Sequence, residues 1–388
     1  MNNKITLVIL ALIVYFASAA GSYMFFVAVQ GEPSAPTTSV VEKGNDFDAL
    51  VFDQSKPRTE VCPLNGAKYS KEQKKWWESH RPLGIMIENH EDSRPQSGLS
   101  FADVVYEAVA EGGITRFLGV FYCQDAGIVG PVRSARTYFL DWISEYGEYP
   151  LYAHVGGANT PGPANALGQI GDYGWNQYND MNQFSIGFPT FRRDESRLGR
   201  EVATEHTMYS TTSKLWEVGK SRGLTNKDKE GALWDTTFEP YDFKNDAPEA
   251  DRGTVKDIHI EMWEGYSAYF IDWVYDPATN SYLRSNGGKS HTDRNTKKQF
   301  DAKNIVVMEM QESAANDGYD GNAHRLYKNK GTGTAYIFQD GKEIKGKWKK
   351  SSREDRTIIT GPDGSPIKFN RGVIWFEILP TTGTLDAK

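Results

Sequence analysis

The chain has 388 residues, a formal net charge of −7 and 13% aromatic residues. An acidic balance excludes nucleic acid as the main partner, since a phosphate backbone needs a positive surface. Two cysteines and seven scattered histidines spell no zinc-finger spacing, and leave open whether Cys62 and Cys123 pair.

From Ile5 to Val29 no residue is charged. As a helix, those roughly 25 positions at about 1.5 Å each can cross a hydrocarbon core of about 30 Å. Lys4 precedes the run and the first basic residue after it is Lys43, which places the N-terminus in the cytoplasm and the rest outside. A cleavable signal peptide is the alternative, with Ala17-Ser18-Ala19 as its small-residue site, but the apolar run continues for ten residues beyond. Both readings imply export. Residues 1–29 are therefore read as a transmembrane anchor of a single-pass protein of the cell membrane, and residues 30–80 as an extracytoplasmic spacer. The Pro-, Ser- and acid-rich stretch 30–60 shows no sustained apolar period. Ser70-Lys71-Glu72-Gln73 is a capping-box pattern opening a short helix before Pro82.

"LGIMIE" then predicts a strand and "NHEDSRPQSGLS" a polar loop. "ADVVYEAVA" and "ITRFLGVFYC" flank Glu111-Gly112-Gly113, a hairpin signature; a helix over the first run is the rival reading. "GPVRSAR" leads into "TYFLDWISEYG", with Phe139, Leu140, Ile143 and Tyr146 on one helical face. "PLYAHVGG" predicts another strand. "GPANALGQIG" predicts a short helix, and "TTSKLWEVGKSRG" a second one, capped by Thr212 or Ser213. Residues 226–254 read as a linker. From about 255 onward short alternating runs, with turns at Asp340-Gly341 and Asp363-Gly364, predict antiparallel β structure. The fold class expected is α/β (α+β): a mixed sheet with flanking helices in 81–225, and a β-rich domain in 255–388 with its own core. "KGKWKK" reads as a lysine-protected edge strand.

The long stretch "RPLGIMIENHEDSRPQSGLSFADVVYEAVAEGGITRFLGVF", then "GPVRSAR", then "FRRD" and "EHTMYSTTSKL", resembles the YerB-like family of bacterial envelope proteins, a domain of unknown function. "YDPATNSYLRSNGGKSHTDRNTKKQF" and the segment from "GTAYIFQDGKEIKGKWKK" onward resemble that family's C-terminal domain. The likeness runs from about residue 81 to 382 and implies a two-domain exported protein. The chain departs from the pattern in lacking a lipobox cysteine, and in "TEHTMYS" around His206. The order of strand, polar loop, paired strands, "PVRSAR" and an Arg-rich "FRRDESRLGR" is also similar to the layout of LytR-type cell-envelope phosphotransferases. That likeness implies Arg and Asp side chains holding a polyprenyl diphosphate and magnesium.

Candidate site residues follow. Arg133 and Arg136 stand at a predicted helix start with Ser134 as cap, where backbone N–H groups also seek an acceptor; an anion would satisfy both, and a carboxylate of the chain itself is the competing partner. Arg192, Arg193 and Arg116 could complete a basic cleft. Asp103 is the candidate ligand of a magnesium ion, with Glu107 four residues on. His90, His154 and His206 are cleft candidates, either converging or separately hydrogen-bonded, and Glu88 and Glu111 are acid/base candidates. Two functions are expected: binding or transfer of phosphate-bearing envelope precursors, or a non-enzymatic binding or scaffolding module for cell-wall components or a membrane protein.

Overall fold

Strands that are apolar at consecutive positions, as in "VVYEAVA", "NIVVMEM" and "IWFEILP", must be covered on both faces. In the computed structural model, which describes residues 42–43 and 49–388, all three lie side by side at the centre of one ten-stranded sheet. Its order is Asp180–Asn182, Leu151–His154, Leu83–Glu88, Ile114–Phe121, Val104–Glu111, Ile374–Pro380, Asn304–Met310, Gly331–Gln339, Lys342–Lys350 and Ile358–Thr360. The predicted anchor 1–29 lies outside the described residues. No helix among the described residues is long and apolar enough to cross a membrane.

The fold is mixed α+β, mostly strand with few helices, as expected. The expectation of separate cores either side of residues 226–254 is corrected. Ile374–Pro380 runs parallel to Val104–Glu111, with Glu377 opposite Glu107, so the sheet is continuous across both halves. Two apolar layers cover it, and each draws on both halves. One holds Met86, Tyr106, Leu118, Trp142, Ile337 and Phe376; the other holds Ile85, Val105, Phe117, Trp273, Ile305 and Trp375. Successive strand residues alternate between the layers, as the pleat requires. The helix Thr137–Ile143, buried at every position, covers the first layer. A six-stranded antiparallel sheet built on Asp257–Glu261, Ile271–Asp276 and Ser281–Asn286 covers the second.

Several local signals hold. Ser70 caps the helix Lys71–Trp77, accepting from the Gln73 N–H at 3.2 Å. The hairpin turns at Gly112-Gly113, with φ of 54° and 75°. Others shift. Thr211 caps the helix Thr212–Ser221, while the Thr212 hydroxyl donates to Asp125 instead. Arg136, not Ser134, is the N-cap of Thr137–Ile143, with no side-chain cap bond. Lys342–Lys350 is an edge strand only in its first part: Ile358–Thr360 pairs with Lys347, Trp348 and Lys349, and Trp348 and Lys350 are buried. Cys62 and Cys123 form a disulfide that ties the segment before the first helix to the end of the hairpin.

Candidate functional site

The hairpin places Glu111 at its tip, and the chain brings two guanidiniums to it. Arg116 Nη2 lies 2.5 Å from Glu111 Oε1, and Arg136 Nη2 bonds Oε2. Both arginines are almost wholly buried. Burial alone would raise the Glu111 carboxyl, but Arg116 and Arg136 outweigh it and hold it at about 2. Arg133 Nε donates to Glu88 Oε1 at 3.1 Å. The predicted anion clamp is thus filled by the chain's own carboxylates. Glu88 and Glu111 are its acceptors, and neither stands free as an acid or base. Arg193 donates to the Thr204 carbonyl and to Thr207 Oγ1, bracing the turn Thr204–His206. Arg192 is half-buried on the short strand Arg192–Arg193 and shares no carboxylate with Arg133 or Arg136.

Asp103 is not a cleft ligand for magnesium. It is fully buried beside the disulfide, accepting from Asn65 Nδ2 and from the Tyr122 and Cys123 N–H groups. Burial pushes its carboxyl up to about 7 against those hydrogen bonds. The two sulfurs nearby are consumed by their own bond. Glu107 is equally enclosed: Arg284 of the second sheet pairs with it, and Thr115 and Asn89 donate to it. Neither acid answers Arg116 or Arg133.

The histidines divide. His154 is fully buried, with Nε2 2.6 Å from Asp180 and Nδ1 2.7 Å from the Gly156 carbonyl. His90 and His206 meet, their rings stacked at 4.8 Å and 18°. His206 Nδ1 lies 2.9 Å from Glu88 Oε2, so Glu88 joins Arg133 to His206. That hydrogen bond, against partial burial, raises the His206 imidazole above its ordinary value. Asp92, on the turn Glu91–Ser93, faces the same pair.

Asp92 also lines a cleft of about 800 Å³ between the polar loop after the first sheet strand and the second sheet, with Arg94, Arg200, His259, Asp272 and Lys289 on its walls. Arg94 fastens the two sides: it donates to the Asn89 side chain at 3.0 Å and to the Ala268 carbonyl at 2.8 Å. Gly287 stands at φ 59°, where a Cβ would come within 2.7 Å of the Ala268 carbonyl, so the close approach requires glycine. His259 bonds Asp272 at 2.6 Å. Sequence reasoning missed Asp92, Arg200, His259 and Lys289. The usable signal was the Asn286-Gly287-Gly288 turn, which points to close backbone packing at a loop.

Residues 66–225 match the family described as "Protein of unknown function (DUF3048) N-terminal domain", and residues 258–376 match its C-terminal domain. The chain is 30% identical over 321 residues to the Bacillus subtilis protein named "Putative lipoprotein YerB", covering 82% of this chain and 86% of that one. A crystal structure of the YerB protein from Bacillus subtilis superposes with a TM-score of 0.68 at 25% identity, over 84% of this chain and 100% of that one.

Proposed function

The chain belongs to the DUF3048, or YerB-like, family, and from that premise we propose that it is an exported, membrane-held binding module for a cell-wall component rather than a phosphotransferase. Export is supported by the Cys62–Cys123 disulfide, a bond that is common in oxidising compartments and rare in the cytosol. The uncharged run from Ile5 to Val29 would hold the protein at the membrane. The B. subtilis relative carries the word lipoprotein in its name, which fits membrane attachment by a different device.

The observation that carries the binding reading is the charge pattern. The arginines that would grip a diphosphate are spent on Glu88 and Glu111, whereas the open cleft carries both signs: Arg200 is paired with Asp92 and His259 with Asp272, and Lys289 is exposed with no acid partner among the described residues. A diphosphate needs several unopposed cations. A polar wall polymer whose peptides carry amines and carboxylates needs both signs side by side. Co-sedimentation of the purified protein with isolated wall sacculi tests this. Retention that falls at least about tenfold in Lys289→Glu supports it, a fold-change of the size expected when one charge-assisted contact of 1.4 kcal/mol or more is lost. Saturable binding to vesicles bearing polyprenyl diphosphate, with none to sacculi, favours the phosphotransfer reading instead.

A further inference from the structure

Beyond the polymer cleft, one group of side chains has the make-up of a metal centre. We propose that His90, His206 and Asp92 form a three-ligand site for a divalent transition-metal ion of the zinc class, open towards the cleft. Each offers one ligand atom, and the three atoms lie within 4.8 Å of one another. In a tetrahedral zinc site with bonds of about 2.1 Å, ligand atoms stand roughly 3.4 Å apart. Small side-chain rotations close that gap, and Asp92 and the half-buried His90 have the freedom to make them.

The surroundings fit. His206 Nδ1 is turned to the Glu88 carboxylate at 2.9 Å. That contact places the ring proton on Nδ1 and leaves the Nε2 lone pair for an ion, the carboxylate–histidine–metal arrangement that fixes tautomer and raises basicity. His206 cannot swing away, because it is 5% exposed and Arg193 holds its turn through the Thr204 carbonyl. Asp92 divides its oxygens. Oδ1 takes Arg200 at 3.0 Å, whereas Oδ2 lies 3.8 Å from His90 Nδ1. His90 Nδ1 now accepts only the Asp92 N–H, at 3.1 Å. An ion would displace that one contact. Two imidazoles and one carboxylate suit zinc, cobalt or nickel better than magnesium, which prefers oxygen. Three protein ligands leave a coordination position free, and Asp92 and Arg200 place it at the cleft wall.

The test is metal titration of the full chain, solubilised in detergent, stripped with chelator and free of any polymer, using Zn2+ by calorimetry and Co2+ by visible absorption. One equivalent is expected. His90→Ala and Asp92→Asn should each weaken binding at least about tenfold, and Glu88→Gln about 10- to 100-fold. Asp92 is exposed, so its variant folds even if His206→Ala does not. Arg200→Ala should bind at least as tightly as the parent, because it removes a cation competing for Asp92. His259→Ala should bind normally. Absence of saturable binding would overturn the proposal. So would binding that survives both His90→Ala and Asp92→Asn, or that is lost in His259→Ala. Because no wall polymer is present, failure here leaves the sacculus experiment untouched.

Discussion

At the scale of single residues, the arginines of "GPVRSAR" show why charge in a sequence under-determines function. The motif identifies cations that need an anion; it does not say whether that anion is a ligand or a distant residue of the same chain. Glu111 and Glu88, 25 and 45 positions away from their partners Arg136 and Arg133, supply it. If that is their role, Arg136→Ala should destabilise the protein by about 3 kcal/mol, because a buried pair is broken and a carboxylate is left half-answered. A urea melt measures this. The pH dependence has a definite sign. Glu111 sits at about 2 in the folded protein, below the ordinary value of about 4.3. Its contribution is therefore complete above about pH 4.3 and is lost as pH falls towards 2, a loss on the order of 2–3 kcal/mol. Glu111→Gln should flatten the fall in urea midpoint between pH 5 and pH 3; an unchanged slope would place the acid sensitivity elsewhere. The paired histidines illustrate the same limit. His90 and His206 are 116 positions apart in sequence, and only the Glu88 strand and the Thr204–His206 turn bring them to stacking distance.

At the scale of elements, local chemistry was legible and partnership was not. The cap at Ser70, the hairpin at Gly112-Gly113 and the turn at Asp340-Gly341 are set by residues in direct sequence contact, and all three stand where the pattern put them. "KGKWKK" misled because alternating lysines describe one strand face only. The other face carries Trp348, which donates to the Glu309 carbonyl, and Lys350, which reaches Glu145 in the other half. Gly346 lets the last strand close on it: a Cβ there would lie 1.8 Å from the Thr360 carbonyl. Gly346→Ala should therefore part those strands at a cost of about 1–3 kcal/mol, the usual range for overpacking. Faster hydrogen exchange of the Ile358–Thr360 amides, with the rest unaltered, is the expected signature. The disulfide closes a separation of 61 residues, and Cys123→Ser should lower stability by about 4 kcal/mol on loop entropy. A melt with and without reductant measures it, and the variant should show no further reductant effect.

At the scale of the whole molecule, the two family segments share one sheet, and charged residues weld them. Arg284 of the second sheet lies fully buried among Phe117, Trp273 and Trp375, paired to Glu107. Burial, then the facing Glu107, raises the Glu377 carboxyl well above the ordinary range, and Trp273 donates to it at 2.9 Å. Arg284→Ala should cost about 3–5 kcal/mol by stranding a buried carboxylate, and both halves should melt together earlier rather than one alone. Such a weld was not legible because polar residues inside apolar strands look like lapses in the pattern, while here Glu107 and Glu377 stand opposite each other by register. Beside this weld, Asn89 donates to Asn286 at 2.9 Å and Arg94 to the Ala268 carbonyl at 2.8 Å, which hold the polar loop carrying Asp92 against the second sheet carrying His259 and Lys289. The central claim, a wall-binding cleft in place of a diphosphate clamp, is met most directly by one paired measurement: equilibrium binding of Arg133→Ala and Lys289→Glu, side by side, to isolated sacculi and to polyprenyl-diphosphate vesicles. The account predicts sacculus binding that survives in Arg133→Ala and drops at least about tenfold in Lys289→Glu; vesicle binding that is abolished by Arg133→Ala and untouched by Lys289→Glu would contradict it.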